Sequence, residues 1–264
     1  MPKAHVNGIN MYYEYAGSGL PVLFSHSFTS DCTMWSLQTP VFSKRYQFIT
    51  YDIRGMGRTD SPAGPYSIDQ HTEDLRELAR HLGLTEFVLG GLSIGGMITV
   101  HFALAHQELL KGAIIADSAA ARPDVALLTS PDDMIDRAQR LGMAGLADHM
   151  IDNRLLAPHL QDNPYAVKEY RDRMAQNNVI GYCSGLRALE RMRDRTGELG
   201  QITVPTLIIV GDMDEPFVEP SKLMHSRITG SQLVVIPGAG HLANIEKPAA
   251  FTEAVMSFLD GLPA

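Results

Sequence analysis

Apolar residues in this chain arrive in short unbroken runs. Pro21–His26 (PVLFSH), Tyr46–Asp52 (YQFITYD), Phe87–Leu92 (FVLGGL) and Gly112–Asp117 (GAIIAD) form a first set, and Thr206–Asp212 (TLIIVGD) and Gln232–Gly238 (QLVVIPG) a second. Runs of this length, rich in Val, Ile and Leu and lacking polar alternation, predict strands buried on both faces, as in a parallel sheet. Asn10–Gly17 (NMYYEYAG) alternates and ends in glycine, which predicts an edge strand or hairpin arm. Ile68, Leu75, Leu78, Ala79 and Leu82 mark one face of a helix over Ser67–Gly83, and MITVHFALAH can continue as a helix after Gly96. A last helix is expected from Pro248, a residue suited to a first turn, to about Asp260. Strands alternating with helices predict an α/β fold around a mostly parallel sheet.

The interval 119–201 breaks that alternation. It has helix starts but no strand-like run. Ser130–Asp133 (SPDD) has the form of a capping box with proline in the first turn, and Asn163 precedes Pro164 as an N-cap. Val179, Tyr182, Cys183, Leu186 and Met192 recur at helical spacing. About four helices inserted between two strands are expected: a cap over residues 119–201 on a core of 1–118 and 202–264. Met134, Leu141, Met143, Leu146, Met150, Tyr165 and Tyr182 give it more apolar surface than exposed helices need, so part of it should pack on the core and part should line a pocket.

Composition narrows the function classes. The 264 residues are 45% hydrophobic and 20% charged, with 22 Lys and Arg against 30 Asp and Glu, a formal charge of −8. That balance argues against nucleic acid and anionic membrane as partners. No apolar run approaches the roughly 18 residues of a membrane helix, and MPKAHVNGINMYYEY lacks a signal-peptide pattern, so a cytoplasmic chain is expected. Cys32 and Cys183 are expected to be reduced. With no H-E-x-x-H, C-x-x-C or G-x-G-x-x-G, neither a metal nor a cofactor is expected.

Chemistry gathers around GGLSIGG at residues 90–96. Four glycines flank Ser93 where a strand run gives way to a helix, and Gly91-Leu92-Ser93-Ile94-Gly95 fits G-x-S-x-G, the nucleophile elbow. A serine hydroxyl needs a base. His241, in PGAGHLANIEKP after the last strand, is placed to reach back over the sheet, whereas His26 precedes the serine and suits a structural or oxyanion-loop role. The base needs a carboxylate to orient it. VGDMDEP offers Asp212, Asp214 and Glu215, and Asp117 ends another strand; Asp214 is preferred for its place between Ser93 and His241. An oxyanion needs two backbone N–H donors, expected from Ile94 and Phe28. Trp35, Tyr165, Tyr182, Phe217 and Leu242 are expected to line the substrate pocket. Arg54 should tie down the glycine turn of DIRGMGRTD, while one of Arg54, Arg58, Arg137 or Arg154 would be needed if the substrate carried a carboxylate.

FSHSFTSDCTMW, YDIRGMGRTDSPAGPYSI, GLSIGG, GDMDEP and GHLANIEKPAAF follow one another in an order that resembles the α/β-hydrolase fold superfamily over nearly the whole chain. Ser27 after His26, Met34-Trp35, PAGPYSI and HLANIE are most similar to the 3-oxoadipate enol-lactonase-like branch. The chain departs from that branch in His26-Ser27, where Asn-Ser is usual, and in Met56, where histidine is frequent. The resemblance implies a helical cap, a Ser93–Asp214–His241 triad with Phe28 and Ile94 as oxyanion donors, and no cofactor. The function it implies is a serine hydrolase of esters or lactones, with a small-molecule partner and a homodimer allowed. A carbon–carbon bond hydrolase of dienoic ketones and a slow-turnover ligand receptor share the same frame.

Overall fold

The computed structural model describes residues 2–125, 130–153 and 163–263. Eight strands form one sheet: β1 (Lys3–Val6), β2 (Ile9–Ala16), β3 (Pro21–Ser25), β4 (Gln47–Tyr51), β5 (Phe87–Leu92), β6 (Leu110–Ala116), β7 (Thr206–Gly211) and β8 (Gln232–Ile236). Their order across the sheet is β1-β2-β4-β3-β5-β6-β7-β8. β1 and β2 pair antiparallel, as do β2 and β4, and every pairing from β4 to β8 is parallel. β5 and β7 are buried at every position, as their unbroken apolar runs require. β8 departs from the both-faces-buried expectation: it is the sheet edge, and Val235 is 41% exposed.

The helices outside the insert are α1 (Thr39–Phe42), α2 (Ile68–His81), α3 (Ile94–His106), α7 (Glu215–Arg227), α8 (Ala243–Glu246) and α9 (Pro248–Asp260). α2 starts where the Ser67 hydroxyl accepts from Gln70 N–H at 3.0 Å, and it buries the face bearing Ile68, Leu75, Leu78 and Ala79. α3 is apolar almost all round and correspondingly buried from Ile94 to Ala103.

Between β6 and β7 the chain leaves the sheet and forms α4 (Pro131–Asp152), α5 (Pro164–Gln176) and α6 (Val179–Glu190). α4 is broken at Gly142, where φ is +68°, so the described insert has four α-helical stretches, followed by a 3-10 turn at Thr196–Gln201. Asn163 caps α5 through Ala166 N–H at 3.2 Å. The capping box at Ser130 does not form: its hydroxyl donates to the Asp133 carboxylate at 2.6 Å instead of accepting from the backbone. Of the apolar residues singled out in the insert, Met134, Met143, Leu146, Met150 and Tyr182 are buried, while Leu141 and Tyr165 are 46% and 49% exposed. α6 lies hard against the loop after β4. A Cβ on Gly181 would stand 1.9 Å from Gly55 O, and Ser184 Oγ accepts from Gly64 N–H at 3.1 Å. No helix among the described residues is long and apolar enough to cross a membrane.

The order β4-β3-β5-β6 reverses direction between β3 and β5. Crevices at such a reversal, above the carboxyl ends of the strands, are where open α/β sheets place ligands. The loops leaving β3, β5, β6, β7 and β8 there carry Ser27–Ser30, Ser93, Asp117, Asp214 and His241.

Candidate active site

Ser93 sits between β5 and α3 with φ +60° and ψ −118°, a conformation L-residues rarely adopt. The bend is held by absent side chains. A Cβ on Gly91 would fall 2.2 Å from the Gly95 carbonyl carbon, and one on Gly95 would fall 2.4 Å from Ser25 O. Ser93 N–H donates to Ala116 O at 2.9 Å, fixing the bend to the neighbouring strand. The hydroxyl is thereby held above the sheet at the N-terminus of α3.

His241 Nε2 lies 2.9 Å from Ser93 Oγ, and His241 Nδ1 lies 2.9 Å from Asp214 Oδ2. Asp214 is 3% exposed at the start of α7. Its rival Asp212 points elsewhere, accepting from Gly238 N–H at 2.7 Å to tie the ends of β7 and β8 together. Asp117 is fully buried, its Oδ1 accepting from Gly211 N–H at 2.8 Å. Burial and the Asp214 charge raise its pKa well above the ordinary carboxylate range.

The histidine loop has a support the sequence reading missed. Glu246 accepts from Gly240 N–H at 3.1 Å and Leu242 N–H at 3.0 Å, the residues either side of His241. Phe217 stacks on the imidazole, ring centres 4.7 Å apart and planes at 27°, so this expected pocket residue packs on the base itself. Burial disfavours the imidazolium, but the Asp214 carboxylate, with Asp117 and Glu246 behind it, outweighs burial and holds the His241 pKa up to about 9.

His26 is fully buried, and its tautomer is legible from its partners. Nε2 accepts from Ile53 N–H at 2.9 Å, so Nδ1 carries the proton and donates to Ser27 O at 2.7 Å. Burial lowers its pKa and keeps the ring neutral. Ser27 O belongs to the peptide whose nitrogen is that of Phe28. Neither Phe28 N–H nor Ile94 N–H has an internal acceptor among the described residues. The Ile94 N–H is one of the orphan donors at a helix start.

The remaining expected pocket residues divide. Tyr182 is buried in α6 with its ring stacked on Phe28 at 5.4 Å, and Leu242 is 8% exposed beside His241. Trp35 is a correction: its ring is fully buried, edge-on to Phe24 at 4.8 Å and packed on Phe251, so it fills the core beneath the loop after β3. Tyr165 is a second correction, since a ring 49% exposed on the first turn of α5 does not wall an enclosed pocket. Arg54 ties down its turn through a buried two-point pair with Asp74 at 2.6 and 2.8 Å. Arg58 pairs with Asp52 and Glu14 and lies 3.6 Å over the Tyr12 ring. Arg137 is half-buried in α4, and Arg154 lies outside the described residues.

A hydroxyl, imidazole and carboxylate in line, with unengaged N–H groups on the loops after β3 and β5, can generate a nucleophile and hold the charge that forms on a carbonyl oxygen. Residues 21–248 match the model of the alpha/beta hydrolase fold family, and the chain belongs to that family. It is 29% identical over 235 residues to 3-oxoadipate enol-lactonase 2 of Acinetobacter baylyi, covering 89% of this chain and 86% of the relative. Among solved structures it is similar to the enol-lactonase from Burkholderia xenovorans LB400, with a TM-score of 0.89 and 30% identity over 98% of this chain and 100% of that one. A thermophilic esterase from Thermogutta terrifontis superposes with a TM-score of 0.88 and 31% identity, covering 98% of this chain and 97% of the other.

Proposed function

We propose that this protein is a serine hydrolase of carboxylic esters or lactones working through an acyl-enzyme. The observation that carries this reading is the unbroken line from Ser93 Oγ to His241 Nε2 and from His241 Nδ1 to Asp214 Oδ2, both at 2.9 Å. Ser93 Oγ attacks the acyl carbon while His241 Nε2 takes its proton. Phe28 and Ile94 N–H hold the tetrahedral oxyanion. His241 then returns the proton to the leaving oxygen, the C–O bond breaks and the acyl group stays on Ser93. Water, deprotonated by the same imidazole, releases the acid and restores the serine. Asp214 keeps the imidazole in the required tautomer throughout, and the insert 119–201 acts as the cap over the acyl site.

The preferred substrate is a small to medium uncharged ester or lactone. A buried carboxylate without a partner is strongly disfavoured, and Arg54 and Arg58 are already committed to Asp74, Asp52 and Glu14. In the cap, Arg173 is paired with Glu169, and Arg187 with Asp132 and Glu190. The test is kcat/KM for a neutral aryl acetate or lactone against a carboxylated lactone, at low and high salt. The neutral substrate should win. A carboxylated substrate preferred tenfold, about 1.4 kcal/mol of transition-state binding, would reveal a cationic anchor and overturn this choice.

A further inference from the structure

The loop after β3 makes a tight turn at Ser27–Ser30, closed by Ser30 N–H donating to Ser27 O at 3.2 Å. Its third residue, Thr29, has φ +63°, a position where turns of this kind normally take glycine. A β-branched residue there persists only where its surroundings hold it.

The carbonyls of Ser27, Phe28 and Thr29 are each occupied. Ser27 O accepts from His26 Nδ1–H at 2.7 Å, Phe28 O from the Thr29 hydroxyl at 2.6 Å, and Thr29 O from Asn177 Nδ2 at 2.8 Å. The first two donors belong to the core. The third belongs to the cap, since Asn177 joins α5 to α6. Asn177 is 7% exposed and its amide orientation is fixed by its neighbours. Two carbonyls, of Thr29 and Arg173, face Nδ2 at 2.8 and 2.9 Å, while Gly57 N–H faces Oδ1 at 3.0 Å. Other cap contacts reach the same loop: Tyr182 stacks on Phe28, and the Arg173 guanidinium donates to Thr33 Oγ1 and O at 3.2 and 3.3 Å.

Building on the hydrolase reading, we propose that Asn177 is a positioning residue of the oxyanion loop. It holds Thr29 in its left-handed conformation from the cap side while His26 holds Ser27 from the core side. The Phe28 N–H between them is aimed only when the cap is docked. Cap docking and oxyanion stabilisation are then one event, and Asn177 is where they join.

Asn177→Asp keeps an acceptor for Gly57 N–H but loses the donor to Thr29, and Asn177→Ala removes both. Active sites are counted by fluorophosphonate titration, then kcat per site and KM are measured on p-nitrophenyl acetate. The inhibition constant of phenylboronic acid, which becomes a tetrahedral anion on serine, is measured alongside. In both variants kcat per site should fall about tenfold or more, KM should stay within about threefold, and the boronate inhibition constant should rise by the factor kcat loses. A merely structural asparagine would lower the titre of active sites and leave kcat per site intact. That result, full activity, or failure of these variants and Asn177→Ser to fold at all, overturns the inference. Wild-type protein that neither titrates nor turns over removes the hydrolase reading itself, whereas active wild type with unaltered variants removes only the role of Asn177.

Discussion

Burial presses the His241 imidazole toward its neutral form, yet Asp214 at 2.9 Å and the Glu246 charge behind it hold its pKa up to about 9. Only the neutral ring can take the Ser93 proton, so kcat/KM is expected to climb with pH and level off above about 9. Stability runs the other way. The folded pKa lies above the ordinary value of about 6.5, so the imidazolium contributes stability fully below that value. The contribution is lost as pH rises through about 9. A pH–rate profile and a thermal-melt series over the same buffers should therefore slope in opposite directions across this window. A kcat/KM already flat from the pH of an ordinary histidine upward would show that Asp214 and Glu246 do not hold the proton.

At the scale of elements, what was legible in the sequence is what a short stretch can announce by itself. The buried runs became strands and the glycines around Ser93 became a bend. Each member of the candidate triad was found at the exit of a strand in the expected order. The misses are equally physical. β1 is only four residues long, although its Asn7-Gly8 turn, with φ +44° and +76°, carries the signal of a two-residue hairpin. Pro216 and Pro220 interrupt the helical pattern of α7, yet the helix carries Pro220 inside it. Trp35 lies in the core rather than the expected pocket; no local pattern says which side of a loop faces the core. Asn177 was invisible because its partners Thr29 and Gly57 are 148 and 120 residues away. Packing of α6 on the loop after β4 gives a prediction at this scale. Gly181→Ala puts a methyl group into Gly55 O and should cost about 1–3 kcal/mol, read as a lower Tm, with turnover lost as the cap lifts. Gly197→Ala, where a Cβ meets nothing within 4 Å, is the control. Equal Tm for the two variants would mean the cap accommodates the methyl group without shifting.

For the whole molecule, the parallel strands from β3 to β8 deliver the loop bearing Phe28, then Ser93, Asp117, Asp214 and His241 along one edge of the sheet. The insert between β6 and β7 packs against the loop after β3 through α5 and α6. The line of hydrogen bonds from Asp214 through His241 ends on a single atom, Ser93 Oγ. The most direct test is therefore intact-mass and peptide-level analysis of the native chain treated with a fluorophosphonate, beside Ser93→Ala measured for labelling, turnover and circular dichroism. The native protein should gain one adduct, on the peptide containing Ser93, as its esterase activity disappears. The variant should stay folded, take no label and lose nearly all turnover. An adduct on any other residue, or a folded Ser93→Ala protein that hydrolyses esters at the native rate, would contradict the proposal that this serine is the nucleophile.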